Sequence, residues 1–227
     1  MKNDIKELDY WIIDHLTDTD FYKFTFGQYI YHQHNRDLSK WEFKCRNEDI
    51  KFTPEMIAEI KRQIAHYCTL RFTKEELDYL RSIKFIKRDY IDNYLRYWQP
   101  DINEIHINEI GMQAYNNCGL AIQTEGTWLN TSFYEIAILA IVNEVYYAFK
   151  YGVGARNIEF QEETIKKFSK VLDGTYQIGG WSEFGTRRRY SYEMQDWLIK
   201  YIVDKKIPGF VGTSNVYLAM KYNVSTV

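Results

Sequence analysis

An α/β chain is predicted for these 227 residues, with a mixed α+β N-terminal region (1–128) followed by a region of parallel alternation (129–227). Three observations predict it. Helix-period apolar positions with capping signals run through 53–98. A period-two pattern then takes over from about 102 to 123. Beyond Ser132 helical and strand-like segments alternate to the end, the mark of a parallel α/β architecture.

Taken in order, LTDTDFYKFTFGQYIYHQH reads as a helix capped by Asp18 or Thr19, with aromatics all round it. Such a helix is expected to be buried on several sides or to lie at a subunit contact. KWEFKCR is a strand candidate, because Trp41, Phe43 and Cys45 alternate with charged residues. Thr53 caps the next helix, with Pro54 at its first position and Met56, Ile60 and Ile64 at helical spacing. Thr73 and Glu76 make a capping box for another. A third runs from Asp89 to Trp98 and stops before Pro100. Ile105 and Ile107 mark a strand, and a second is expected from Cys118 to Gln123. Ser132 and Glu135 read as a capping box for a long helix ended by Gly152. The remainder reads as a helix near 160–172, a strand near 176–180, a helix near 191–204 and a short strand into Gly212-Thr213-Ser214-Asn215. The change of pattern near 126–131 is the candidate domain boundary.

Composition excludes several classes. With 45% hydrophobic residues the chain can bury a sizeable core, and a net charge of −2 rules out a charge-driven disordered chain. A pI near 6.2 gives no global basic footprint, which disfavours nucleic-acid binding. Cys45, Cys68 and Cys118 are widely spaced with no CxxC, so neither a disulfide framework nor a metal site is expected. The N-terminus lacks the apolar segment of a signal peptide, and Ile136 to Val142 is far shorter than the ~20 residues that span a bilayer. A cytoplasmic location without membrane contact is the expectation.

Three loop–helix junctions could carry chemistry. Asp20-Phe21-Tyr22-Lys23 opens the aromatic helix. Glu183-Phe184-Gly185-Thr186-Arg187-Arg188-Arg189 follows a strand, so one guanidinium could point back to the sheet's mouth and grip a carboxylate or phosphate. The Gly212–Asn215 turn leaves backbone N–H groups facing the crevice beyond a strand's carboxyl end. Each alone can also be read as an ordinary turn, cap or basic surface strip. His32 and His34 suit a helix C-terminus without any further role.

In their order, TDTDFYKFT, EGTWLNTSFYEIAIL, EFGTRRRYS and FVGTSNVYLA closely resemble the nicotinate phosphoribosyltransferases, from about Leu16 to Val227. The resemblance implies an N-terminal domain followed by the first part of a type II phosphoribosyltransferase α/β barrel. It implies an activity in NAD biosynthesis: nicotinate and phosphoribosyl pyrophosphate give nicotinate mononucleotide and pyrophosphate. ATP hydrolysis is coupled to this through a phosphorylated histidine, with Mg2+. By the same resemblance Tyr22 and Phe184 sandwich the pyridine ring, Arg187 pairs with its carboxylate, and Thr213, Ser214 and Asn215 form a polar wall. Lys23, Arg188 and Arg189 are implied on the phosphate side. Related nicotinamide-using enzymes carry an acid where Ser214 stands, so Ser214 favours the acid substrate. Tyr22 is implied to reach a neighbouring subunit's site in a homodimer. The family's phosphorylated histidine lies in a GTxAHE-type segment beyond the position matching Val227, and none of the five histidines here takes its place. The chain is therefore expected to be an N-terminal half, inactive alone, with no catalytic residue of its own. A non-catalytic binding or regulatory protein that retains the nicotinate pocket is the alternative.

Overall fold

The computed structural model describes residues 6–112 and 117–227; the first five residues of the N-terminal stretch and positions 113–116 lie outside them. The first region is built on an antiparallel sheet of order β1-β3-β2, with β1 Leu38–Glu42, β2 Ile105–Ile107 and β3 Ile122–Thr127. Helices α1 Tyr22–Gln33, α2 Pro54–Tyr67 and α3 Lys74–Ser82 precede a short α4 Arg88–Tyr90, which runs into a π-helical turn, Ile91–Leu95. Helix α5, Trp128–Tyr151, is the spine: fifteen of its 24 residues are buried, and they share one core with α1 to α4 and the sheet. Its near-continuous apolar sequence suits a helix packed on most of its sides.

Local signals account for many boundaries. Thr53 Oγ1 accepts from Met56 N–H with Pro54 at the first helical position, and the Thr73–Glu76 capping box forms in full. Gly152 ends α5 at φ 94°, where a Cβ would be strained. Gly27 permits the close approach of α1: a Cβ there would meet the Tyr90 hydroxyl at 2.5 Å and the Phe133 ring at 3.1 Å.

Several expected boundaries differ. Neither Asp18 nor Thr19 caps α1; Phe21 stands at its N-cap, and no side chain bonds the free N–H groups there. Backbone turns ending in Asp20 and Phe21 carbonyls serve instead, and the Asp18 carboxylate is drawn to a buried guanidinium, a stronger partner. Ser132 and Glu135 form no cap either. The helix starts one turn earlier, at Thr127, whose Oγ1 accepts from Asn130 N–H. Gly119 (φ 83°) breaks the strand expected from Cys118 and moves it to Ile122–Thr127. The strand expected near 176–180 forms at Trp181–Glu183, after Gly179 and Gly180. The third helix is a single α-turn that passes into a π-turn rather than a regular helix to Trp98.

The second region alternates as expected. After α6 Asn157–Leu172 come β4 Trp181–Glu183, α7 Tyr192–Asp204, β5 Phe210–Thr213, α8 Val216–Tyr222 and β6 Ser225–Thr226. The three strands are parallel in the order β4-β5-β6, each joined to the next by a helix. That is the repeating unit from which (β/α) walls are built. Its own core is small: Ile199, Ile202, Ile207 and Leu218 are buried, with Phe168, Trp181 and Phe210 packed on them. Among the described residues no helix is long and apolar enough to cross a membrane.

Candidate functional site

Strands β4 and β5 end side by side, Glu183 opposite Thr213, and both following loops lie beyond their carboxyl ends. This is where parallel sheets place ligands. Thr213 Oγ1 donates to Glu183 Oε2 at 2.6 Å, and Gln195 Nε2 donates to Glu183 Oε1 at 3.0 Å and to Thr186 Oγ1 at 3.1 Å. The Gly185 N–H also bonds Glu183. Burial pushes the Glu183 carboxyl above its ordinary pKa, and these donors pull it part of the way back.

The 212–215 turn is stitched to the segment before α1. Phe21 N–H donates to the Ser214 carbonyl at 2.6 Å, Ser214 Oγ donates to Asp20 Oδ1 at 2.6 Å, and Asp20 and Asn215 form a β-bridge. Asn215 works in both directions. Its Oδ1 caps α8 by accepting from Leu218 N–H, while its Nδ2 donates to Asp18 Oδ1 at 2.7 Å and to Thr186 Oγ1 at 3.1 Å. Thr213, Ser214 and Asn215 are fully buried. Their polar side-chain atoms are engaged within the scaffold.

The arginine run divides three ways because a short 3-10 turn, Thr186–Arg188, rotates successive side chains apart. Arg189 is sealed: its two terminal nitrogens fork onto both oxygens of Asp18 at 2.7 and 2.8 Å, and one also reaches the Ile12 carbonyl at 3.1 Å. Its Nε lies 3.8 Å from Glu144 Oε2. Arg189 therefore sits under the site as scaffold and does not open onto it. Arg188 is exposed. Arg187 is half-exposed, with Nη1 donating to Glu135 Oε1 at 3.0 Å and its carbonyl accepting from Asn143 Nδ2.

The other oxygen of Glu135 accepts from Lys23 Nζ at 2.7 Å. Burial alone would raise the Glu135 pKa, but Lys23 and Arg187 beside it hold it below the usual glutamate value. The Lys23 ammonium stands 5.1 Å from the Tyr22 ring centroid. The Tyr22 hydroxyl is pushed up to about 12, by burial first and then by Glu135 and Asp20. So the structure brings Tyr22, Lys23 and Arg187 together around one carboxylate. It leaves Phe184 exposed on the β4 loop.

Lys23, Glu135, Arg187 and Arg188 open onto a groove of about 1080 Å³ between β1 and α5. Lys40 of β1 and Lys44 and Arg46 of the segment after it line one side, with Trp41, Trp128 and Tyr146 as aromatic walls. Six cations against Glu42 and Glu135 suit a polyanion, and the aromatics suit a flat ring. No group of three His, Cys, Asp or Glu among the described residues could hold a metal ion. Each histidine faces an acid: His34 with Asp37 and His66 with Asp14 at 2.8 Å, His106 with Glu109 at 3.1 Å, and His32 with Asp89 and His15 with Glu76 at longer range.

Sequence reasoning read Asp18 and Glu135 as caps, named Asp20 and Glu183 only as parts of their segments, and gave no role to Lys40, Lys44 and Arg46. A signal existed for Glu135: an acid in an apolar, enclosed helix needs a partner. Lys40, Lys44 and Arg46 read only as the charged positions around an alternating strand.

Residues 17–143 match the family described as the nicotinate phosphoribosyltransferase (NAPRTase) N-terminal domain, and residues 180–227 match the NAPRTase family. Relatives named nicotinate phosphoribosyltransferase include those of Ralstonia nicotianae, 36% identical over 94% of this chain and 54% of its own length, and Cupriavidus necator, 36% identical over 94% and 53%. Among solved structures, the nicotinate phosphoribosyltransferase of Porphyromonas gingivalis superposes with a TM-score of 0.82 at 28% identity, covering 95% of this chain and 53% of that one. That of Vibrio cholerae shares the fold, with a TM-score of 0.83 at 24% identity over 98% and 52%. The chain spans about half the length of the curated relatives it matches. With two family matches that together span most of its residues and a shared fold, this chain belongs to the nicotinate phosphoribosyltransferase family.

Proposed function

We propose that this chain supplies the pyridine-binding half of an enzyme that joins nicotinate to phosphoribosyl pyrophosphate in NAD biosynthesis, with ATP hydrolysis coupled to the transfer. The observation that carries the proposal is Arg187: a half-exposed guanidinium at the carboxyl end of β4, pinned through a single nitrogen and with its remaining donors open to the groove. A planar carboxylate fits that fork, and a neutral amide gains far less from it. Tyr22 and Phe184 would face the two sides of the ring, and their π-faces suit the pyridinium that forms as the ring nitrogen bonds to ribose. Thr213, Ser214 and Asn215 would act as a fixed wall, since their hydrogen bonds within the scaffold hold them in place before any ligand arrives. Lys23, Arg188, Lys40, Lys44 and Arg46 would attract the phosphates.

ATP and Mg2+ are proposed with the family activity. With no three-ligand cluster among the described residues, a magnesium ion would come bound to phosphate oxygens, which is its usual mode at such sites. Homodimerisation is also proposed. Tyr22, Phe26 and Tyr29 lie at i, i+4 and i+7 of α1 and are 39–52% exposed, an aromatic stripe of the kind interfaces bury. It would carry Tyr22 into a neighbouring site. A cytoplasmic location and a domain division near 128/129 belong to the same reading.

Calorimetric titration of the chain with nicotinate and nicotinamide tests it. Nicotinate should bind in preference, and Arg187→Ala should weaken it tenfold to a hundredfold, the worth of one or two charge-assisted hydrogen bonds. Equal binding of acid and amide would refute it. Adding a polypeptide that corresponds to the remaining half of the relatives should give turnover. Tight nicotinate binding without any turnover would favour a regulatory binding protein.

A further inference from the structure

The residues from Glu183 to Arg189 divide by direction. Phe184 and Arg188 are exposed and Arg187 half-exposed, whereas Glu183, Thr186 and Arg189 are buried. The buried set recurs at a spacing of three, the period of the 3-10 turn in its middle. One side chain touches all three: the Gln195 amide, buried in the first turn of α7. Its Nε2 donates to both oxygens of Glu183 at 3.0 and 3.2 Å and to Thr186 Oγ1 at 3.1 Å. Its Oε1 accepts from Arg189 Nη1 at 3.2 Å. An amide suits this seam because it turns donors toward a carboxylate and a hydroxyl and an acceptor toward a guanidinium. An apolar side chain there would leave buried polar groups short of a partner. Ser191 Oγ accepts from Met194 N–H and so starts α7 directly after the loop, which places Gln195 back against it. Gly185 completes the fit. Its φ of −93° is open to any residue, but Glu183 Oε1 lies where its Cβ would be.

We propose that Gln195 is a positioning residue: from α7 it locks the inward side of the loop after β4 and thereby aims Arg187 on the outward side. The inference rests on the reading of Arg187 as the carboxylate partner given above. Gln195 is buried against the loop and acts through it, without touching the ligand itself.

The test is calorimetric titration of nicotinate into the chain, into Gln195→Leu, into Gln195→Glu, and into the reversed pair that combines Gln195→Glu with Glu183→Gln. Thermal unfolding shows whether each is folded. Gln195→Leu should weaken nicotinate by roughly tenfold, the scale of a small misplacement of a binding group. Gln195→Glu should do at least as much harm. It sets a further acid beside Glu183 and on an Arg189 already shared by Asp18 and Glu144. The reversed pair restores the total charge and the amide–carboxylate hydrogen bond, so affinity should return to within about threefold of the unaltered chain. In an Arg187→Ala background, Gln195→Leu should cost less than about twofold more, since the group it aims is gone. A role in stability alone would lower the unfolding temperature and leave the nicotinate affinity of the folded chain where it was, and that outcome overturns the inference. A reversed pair no better than Gln195→Glu, or a full further loss in Arg187→Ala, overturns it equally. If the single variants do not fold, the reversed pair decides: near-normal nicotinate affinity supports the inference, and weak binding overturns it. Nicotinate that does not bind the unaltered chain, or that binds Arg187→Ala as tightly, sinks the pocket reading and this inference with it. Binding lost in Arg187→Ala but kept in Gln195→Leu sinks the inference alone.

Discussion

Arg189 with Asp18 and Glu144, and Arg187 with Lys23 and Glu135, are two clusters of the same chemistry drawn largely from the same elements, α5 and the loop after β4. The first is sealed: all three side chains are 2–3% exposed. The second is open, with Arg187 42% and Glu135 34% exposed. In the sealed cluster every charge is desolvated, so each depends on the others and the group fixes geometry. In the open cluster water screens the pairing, which therefore contributes little to stability and can be exchanged for a ligand. The difference teaches how one short loop serves as both anchor and binding edge.

The largest expected effect falls on the sealed cluster. Arg189→Ala leaves Asp18 and Glu144 buried without their cation and should cost about 3–5 kcal/mol in thermal or denaturant unfolding. A loss comparable with that of an exposed pair would break the comparison. Next is pH. The Glu144 pKa is raised to about 7, by burial above all, with Arg189 and the Tyr192 N–H opposing it. A carboxyl raised in the folded state holds its proton more tightly there than when unfolded. Its contribution is thus fully present below the unfolded value near 4.5 and is lost as pH rises through 7. Glu144→Gln should flatten stability between pH 4.5 and 7 and recover on the order of 2–3 kcal/mol at pH 8. Unfolding curves across that range check the slope.

Ser214→Ala removes a 2.6 Å bond to a buried carboxylate and should cost about 1.5–3 kcal/mol, with Asp20 left short of a donor. The smallest effect on stability belongs to Arg187→Ala, below about 1 kcal/mol because the pair is exposed. The same substitution should nevertheless have the large effect on nicotinate binding given above. Unfolding and titration of this one variant, side by side, sharpen the distinction between anchor and binding edge. A stability loss as large as that of Arg189→Ala would erase it.

Much of this was legible in the chain itself. Period and capping fixed α2 and α3, because Thr53, Thr73 and Glu76 act within one turn of the backbone they cap. The parallel alternation after 152 followed from the same local rules, and four ordered motifs carried the family. What no local pattern could supply was the division of labour among Arg187, Arg188 and Arg189, or the use of Asp18 and Glu135 as partners of cations when their spacing suggested caps. Arg189 finds Asp18 across 171 positions and Arg187 finds Glu135 across 52. Such pairings depend on which side chains the packed core shuts away from water. Burial, which turns a screened contact into an obligatory one, exists only once the chain has folded.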